Sequence, residues 1–241
     1  MRIDEKVGDI LFLDIETVSE KKEFSDLSIE KQALWKKKSN QISKNTEMLP
    51  WETYREKAGI YAEFGKVVVI ALGYLVSDTK GNKYLRVKAL FNKDEKVLLE
   101  NFVDLLGKFE DRIQTLCAHN GKEFDFPYLC RRLLINGIPL PSLLDVSGKK
   151  PWEVNHLDTM ELWKFGDRKS YTSLELLTQI FGIPSSKDDI DGSRVSSVYY
   201  KDNHLERIAH YCRKDVLATV QVFLRMKGLP PISEEKILFV E

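Results

Sequence analysis

The segment Leu11-Phe12-Leu13-Asp14-Ile15-Glu16-Thr17 constrains the fold more than any other stretch of the chain. It starts as an apolar run suited to a buried strand, then carries two acids one residue apart. Successive side chains of a strand point to opposite faces, so Asp14 and Glu16 share a face. Two carboxylates on one side of a buried strand repel each other unless a positive charge lies between them. Hard divalent cations such as Mg²⁺ accept oxygen ligands of this kind. Taken alone, the pair reads equally well as a strand end with two solvated acids.

The rest of the chain reads as alternating sheet and helix. Residues 19–59 are rich in Lys and Glu, with apolar residues at helical spacing and Leu27, Trp35 and Trp51 as anchors. This predicts a helical insertion after the first strand, with Lys36-Lys37-Lys38 forming either a substrate-touching flap or, by preference, a solvated face. The β-branched run from Lys66 to Val76 suits a central strand covered on both faces. Gly81-Asn82 marks a turn into an antiparallel strand from Lys83 to Phe91. Asp94 opens a helix through Phe109, with Val97, Leu98, Phe102, Leu105 and Leu106 on one stripe. Thr115 to Ala118 is a short buried strand, and the next helix stops at Asn136-Gly137. Leu157-Asp158-Thr159 reads as the last strand, followed by a short helix around Leu162-Trp163 and another from Ser173 to Phe181. Ser185 to Ser197 is polar and turn-rich. A long final helix is expected from Asn203 as N-cap, with Glu206 completing a capping box. Leu205, Ile208, Cys212, Val216, Val220 and Phe223 form its core stripe. The tail, 229–241, carries the apolar run Ile237 to Val240, which is expected to dock on its own domain.

This order predicts an α/β protein folded as one domain over residues 1–241. Lys+Arg equals Asp+Glu, so no global basic field draws the chain to nucleic acid, and any such attraction must be local. Cys117, Cys130 and Cys212 have no paired metal-ligand spacing and read as free thiols of a reducing compartment. The start lacks the apolar segment of a signal peptide, and the run Val67 to Val76 is too short to span a bilayer as a helix. A soluble, cytoplasmic protein with no membrane association is expected.

The final helix also carries Tyr211 and Asp215, four residues apart and so on one face. Three segments then fall in a definite order: the Asp-x-Glu strand, Asn120-x-x-x-Phe124-Asp125 after a buried strand, and the Tyr-x-x-x-Asp helix. Together they resemble the three motifs of the DEDD 3′–5′ exonuclease superfamily, in its tyrosine subgroup (DEDDy). The middle segment, from His119-Asn120-Gly121 through Phe124-Asp125-Phe126-Pro127-Tyr128-Leu129 to Arg131-Arg132, resembles the exonuclease domain of family B DNA polymerases. The likeness runs from about Leu11 to Arg225. It is nearest to the stand-alone predicted exonucleases related to those proofreading domains.

The resemblance implies an RNase H-like mixed sheet of five to six strands flanked by helices. It implies two divalent cations, Mg²⁺ or Mn²⁺, held by Asp14, Glu16, Asp125 and Asp215. In that scheme Asp14 bridges both ions, Glu16 and Asp215 serve the ion that holds the attacking water, Asp125 serves the other, and Tyr211 orients the water. Two ions about 3.5–4 Å apart stabilise the entering and leaving oxygens of an in-line displacement at phosphorus. Thr17, Asn120 and Phe124 would line the 3′-terminal nucleotide, although Phe124 equally suits core packing. The implied substrates are single-stranded or frayed DNA 3′ ends, released as nucleoside 5′-monophosphates. The alternatives are an exoribonuclease that trims RNA 3′ ends and an inactive binding module of the same fold.

His210 lies five residues before Asp215, the spacing of the histidine subgroup. In a continuous helix five residues turn about 500°, away from Asp215, whereas four turn about 400°. Tyr211 is therefore preferred. Lys149, Lys150, Trp152, Trp163 and Lys164 interleave cations with aromatics, as single-strand stacking surfaces do. Ordinary solvated loops and core anchors look the same. Asp158 reads as structural.

Overall fold

The structure, a computed structural model, describes residues 7–43, 48–109, 112–167, 171–184 and 190–240. The chain start at 1–6, part of the insertion at 44–47, the first part of the turn-rich stretch at 185–189 and residue 241 lie outside the described residues.

Strand β1 (Ile10–Ser19) pairs antiparallel with β2 (Gly65–Ser77), which pairs antiparallel with β3 (Lys83–Phe91). On the other side of β1 lies β4 (Thr115–Ala118), then β5 (Leu157–Asp158), both parallel. The tail forms β6 (Ile237–Val240), parallel to the outer edge of β3. The six-stranded order is β5-β4-β1-β2-β3-β6. The last strand is thus the tail rather than Leu157–Thr159, and Thr159 already opens a helix. Self-docking of the tail is as expected.

Alternation along β1 divides the core in two. Ile10, Phe12 and Val18 face the long C-terminal helix, while Leu11, Leu13 and Ile15 face the helices of the other layer. That second layer contains α3 (Glu95–Gly107) and α4 (Asp125–Ile135), which follow α1 (Ile29–Ile42) and α2 (Pro50–Lys57) of the insertion. Leu98, Leu99, Phe102, Phe126, Leu129 and Leu133 fill it, whereas Val97 of the expected α3 stripe is exposed. The short helices α5 (Thr159–Lys164) and α6 (Leu174–Phe181) precede α7 (Leu205–Met226). On α7, Ile208, Cys212, Val216, Val220 and Phe223 pack against β1 and β2. Phe12 and Phe223 meet edge to face, with centroids 5.4 Å apart. Among the described residues, no helix is long and apolar enough to cross a membrane.

The insertion has its own small core of Leu27, Trp35, Tyr54, Ala58 and Phe64. Trp35 stacks edge-on against Tyr54 and Phe64, and its Nε1–H donates to the Pro50 carbonyl at 2.8 Å. Trp51, expected as an anchor, is exposed instead, because its position on α2 turns it away from that core.

Two expectations near the C-terminus are corrected. Asn203 does not cap α7. It adopts a left-handed φ of 52° and ends a π-helical turn at Val198–Asp202, so His204 occupies the N-cap position, without a side-chain cap hydrogen bond. The turn-rich stretch is helical from Gly192 onward. Tyr199 and Tyr200 hold it down: the Lys66 ammonium donates to the Tyr199 hydroxyl, and the Tyr200 hydroxyl donates to the Ser19 carbonyl at 2.6 Å.

Candidate active site

The site forms where three elements converge on the end of β1. Asp14 and Glu16 project toward α7, on the face of Phe12 and Val18. Between Glu16 and Thr17 the register with β2 slips by one, from Glu16 opposite Val69 to Thr17 opposite Val67. Val68 and Val69 accordingly both pack on the α7 side. A bulge of this kind re-aims side chains, and here it directly follows the second acid.

Helix α7 comes close because β2 has a glycine beneath it. A Cβ at Gly73 would meet Val216 Cγ1 at 2.7 Å, which only an absent side chain allows. About one turn earlier lie Tyr211 and Cys212, and Asp215 directly precedes Val216, one turn on from Tyr211; all three are buried. The Tyr211 hydroxyl hydrogen-bonds the Asp215 side chain. Cys212 Sγ lies 3.1 Å from Asp14 Oδ2 and 3.4 Å from the Asp14 carbonyl, so its S–H donates to the first acid. Ligand atoms of Asp14, Glu16 and Cys212 all lie within 4.8 Å of one another.

The fourth acid comes from the other layer. The β1–β4 pairing ends at Phe12 opposite Cys117, which leaves the Ile15 N–H beyond the end of β4. Asp125, in the first turn of α4, accepts that N–H at 3.0 Å. The tight turn between β4 and α4 positions it. Asn120 takes φ 62°, which Asn tolerates better than most residues. A Cβ at Gly121 would lie 2.3 Å from Ala118 Cβ. Buried Asp158 pins the turn by accepting the Asn120 and Lys122 N–H groups, and it caps α5 through Met160 and Glu161. Its structural role is the one the sequence suggested.

These acids stand in a field of their own making. Burial, then the charges of Asp215, Asp125 and Glu16, push the Asp14 carboxyl well above the usual carboxylate range. Burial followed by Asp215 and Asp125 does the same to Glu16. Burial carries Asp125 up to about 7 despite the Ile15 hydrogen bond, which favours its ionised form. Burial, Asp215 and Glu16 push the Tyr211 hydroxyl up, and burial with Asp14 does so for the Cys212 thiol. Among the described residues, neither Asp14 nor Glu16 forms an ion pair with a basic side chain. A set of hard oxygen donors under mutual repulsion, with no basic side chain paired to the two acids of β1, fits one or two divalent cations.

Beside the acids runs a cleft of about 730 Å³. Glu16 belongs to both, and Thr17 and Phe124 line the cleft as well. Asn120 sits at the β4–α4 turn, outside the lining. His210 is exposed on an α7 that runs unbroken from Leu205, while Tyr211 is buried beside Asp215, as the helical spacing requires. Lys149 lines a separate hollow near the start of β4, whereas the acids lie past its end. Trp152 is solvent-exposed under Lys150, and Trp163 packs against Phe181. That basic–aromatic set therefore does not assemble at the cleft. Lys36 and Lys37 are exposed outside it, and Lys38 covers the Tyr61 ring. Cys212 was legible only as a core residue. Its spacing of three from Asp215 on a helix face was the available sign of a site position.

Comparison with known proteins agrees with this geometry. A family model described as "Predicted 3'-5' exonuclease related to the exonuclease domain of PolB" matches residues 60–234, a span holding Asp125, Tyr211 and Asp215. "DNA polymerase 1" of Pyrococcus abyssi is 25% identical over 178 residues, covering 66% of this chain and 22% of the polymerase. "DNA polymerase" of Pyrococcus glycovorans is 23% identical over the same length, with the same shares. The chain thus spans about a fifth of these relatives. The family B DNA polymerase of the hyperthermophilic archaeon Pyrobaculum calidifontis superposes with a TM-score of 0.53 at 17% identity. That match covers 90% of this chain and 24% of the polymerase, and it is a likeness of fold, the RNase H-like one.

Proposed function

Because the chain belongs to the family of predicted 3′–5′ exonucleases related to the exonuclease domain of PolB, we propose that it is a metal-dependent 3′–5′ exonuclease of single-stranded or frayed DNA ends. The observation that carries this is the convergence of Asp14, Glu16, Asp125 and Asp215, from two layers and a strand, into one self-repelling cluster in which Asp14 is half-buried and the other three are buried. A module that only bound nucleic acid would gain nothing from acids that repel phosphate.

Asp14, Glu16, Asp125 and Asp215 would hold the cations. Bound there, a pair of Mg²⁺ or Mn²⁺ ions neutralises charge at the entering and leaving oxygens of a displacement at phosphorus. The protein's own part is orientation. Tyr211, kept protonated by burial and its acidic neighbours, lends its hydroxyl to Asp215 and stands ready to align the attacking water. The Cys212 S–H holds the Asp14 carboxylate in one rotamer, and the Ile15 N–H does so for Asp125. Thr17 and Phe124, lining the cleft beside Glu16, offer a hydroxyl and an aromatic face to the 3′-terminal nucleotide. Hydrolysis of the last phosphodiester then releases a nucleoside 5′-monophosphate.

Digestion of 5′-labelled and 3′-labelled single strands of DNA and RNA, with and without Mg²⁺, tests the proposal. The 5′ label should persist on shortening strands while the 3′ label leaves at once as a mononucleotide, only with metal. Internal cuts, release of the 5′ label first, or metal-independent hydrolysis would refute it, and faster RNA digestion would reassign the substrate to RNA 3′ ends.

A further inference from the structure

The cleft continues beyond the acids, and its walls come from two segments outside the three motifs. On one side stand the insertion's Lys22, Arg55 and Lys57, with Ile60. On the other stand Ser193, Ser197 and Lys201 of the helical segment after Gly192. Both walls are fixed to the body. The Tyr128 hydroxyl donates to the Gly59 carbonyl at 2.8 Å, and the Tyr54 hydroxyl accepts the Lys21 N–H at 3.1 Å. Opposite, Tyr200 is tied to Ser19 at the end of β1.

The charges on these walls do not follow the composition of the chain, whose net charge is zero. Apart from Glu16, the lining holds the cations Lys22, Arg55, Lys57 and Lys201 against the acids Glu23 and Glu56. Arg55 lies 3.8 Å from Glu23, so those two are engaged with each other. Lys22, Lys57 and Lys201 are exposed and form no ion pair among the described residues. At about 730 Å³ the cleft is the size of a small-molecule site (about 300–1,000 Å³). That volume matches a few nucleotides of one strand.

We propose that this cleft is the track for the nucleotides leading up to the terminal one, with Lys22, Lys57 and Lys201 taking their phosphodiesters from opposite walls. Bases of that strand rest on the apolar surface of Ile60 and Phe124, contacts that carry no base identity. Serine hydroxyls of the far wall offer donors to the backbone. The proposal rests on the exonuclease reading for its direction, since the strand must end at Glu16 and Thr17. DNA and RNA share the chemistry recognised, a single-stranded phosphodiester chain.

The test uses the full chain and a triple variant, Lys22→Ala/Lys57→Ala/Lys201→Ala, with Lys36→Ala/Lys37→Ala as a control for charge outside the cleft. The first readout is kcat/KM on a single-stranded octamer divided by that on a dinucleotide, for DNA and for RNA, in Mg²⁺. The triple variant should lower this ratio by about tenfold through the octamer's KM, while the control leaves it unmoved. The second readout needs no hydrolysis: anisotropy of a labelled octamer in Ca²⁺ over a salt series. Three phosphate contacts predict a slope of log K against log salt near about −2, which the triple variant should flatten. A wild-type protein that binds with this slope yet never hydrolyses would refute the exonuclease reading and leave the track standing. A ratio and slope equal in wild type and triple variant, or an equal loss in the control, would overturn the track itself.

Discussion

Carboxylates are treated in opposite ways at two places inside this molecule. Glu95, at the start of α3, is surrounded by donors. Arg132 reaches it through Nε at 2.9 Å and through its second guanidinium nitrogen, Val67 N–H donates at 2.7 Å, and Asn136 at 3.2 Å. The Arg132 guanidinium also holds the Ala62 carbonyl at 2.7 Å, so the pair ties α3 and α4 to the root of β2. At the end of β1, by contrast, the charges acting most strongly on Asp14 and Glu16 are other acids. A buried charge is tolerated when a partner is supplied. Where the fold supplies the partner, the charge serves the fold. Where the acids face one another instead, the partner must come from solution.

This contrast can be broken most visibly at Asp14. Asp14→Asn should lower exonuclease activity by about ten-thousandfold, or about 5 kcal/mol of barrier, in a steady-state assay. The same change should raise the melting temperature of the metal-free protein, because it removes repulsion. At Glu95 the sign reverses: Arg132→Met strands a buried carboxylate and should cost about 3–5 kcal/mol of stability, read by urea denaturation. Equal effects of the two changes on metal-free stability would erase the distinction.

Smaller effects sharpen it. Tyr211→Phe keeps the ring packing and loses the hydroxyl, so kcat should fall about a hundredfold, near the lower end for a group that manages a proton, with KM little changed. His210→Ala should do much less, and the reverse ranking would move the site's orientation to the histidine. The smallest effect is on pH. Burial raises the folded-state pKa of Asp125 to about 7 from an ordinary value near 4. Its contribution to metal-free stability is therefore complete at acidic pH and is lost as pH rises through about 4 to 7. Thermal melts of metal-free wild type should lose several degrees relative to Asp125→Asn across that interval (about 2–4 °C per kcal/mol). The gap should close in excess Mn²⁺.

What could be read in advance follows from how local each signal is. Strand alternation put Asp14 and Glu16 on one face, and the helical repeat put Tyr211 beside Asp215, but it was the resemblance of the three ordered segments to the DEDD exonucleases that marked these residues, with Asp125, as one site. The strands β2 and β4 were legible from their apolar runs, and β3 from its alternation after the Gly81-Asn82 turn. The slip between Glu16 and Thr17 left no mark, since a bulge is a property of two paired strands. Glu95 and Arg132 are 37 residues apart and belong to no shared period. Asn203 looked like a helix cap because Asn caps well. Asn also tolerates a left-handed φ, and that property is the one used here. The stretch from Ser185 to Ser197 read as turn-rich because its residues are polar, while the contacts of Tyr199 and Tyr200 that hold down the helical segment after Gly192 are long-range.

The most direct test of the central claim is calorimetric titration of the metal-free protein with Mn²⁺, alongside Asp14→Asn. The account predicts up to two ions bound per wild-type chain, with protons released as the raised carboxyls ionise, and a loss of both signals in the variant. Binding of the same stoichiometry and proton release in the variant, or no binding by the wild type at millimolar Mn²⁺, would contradict it.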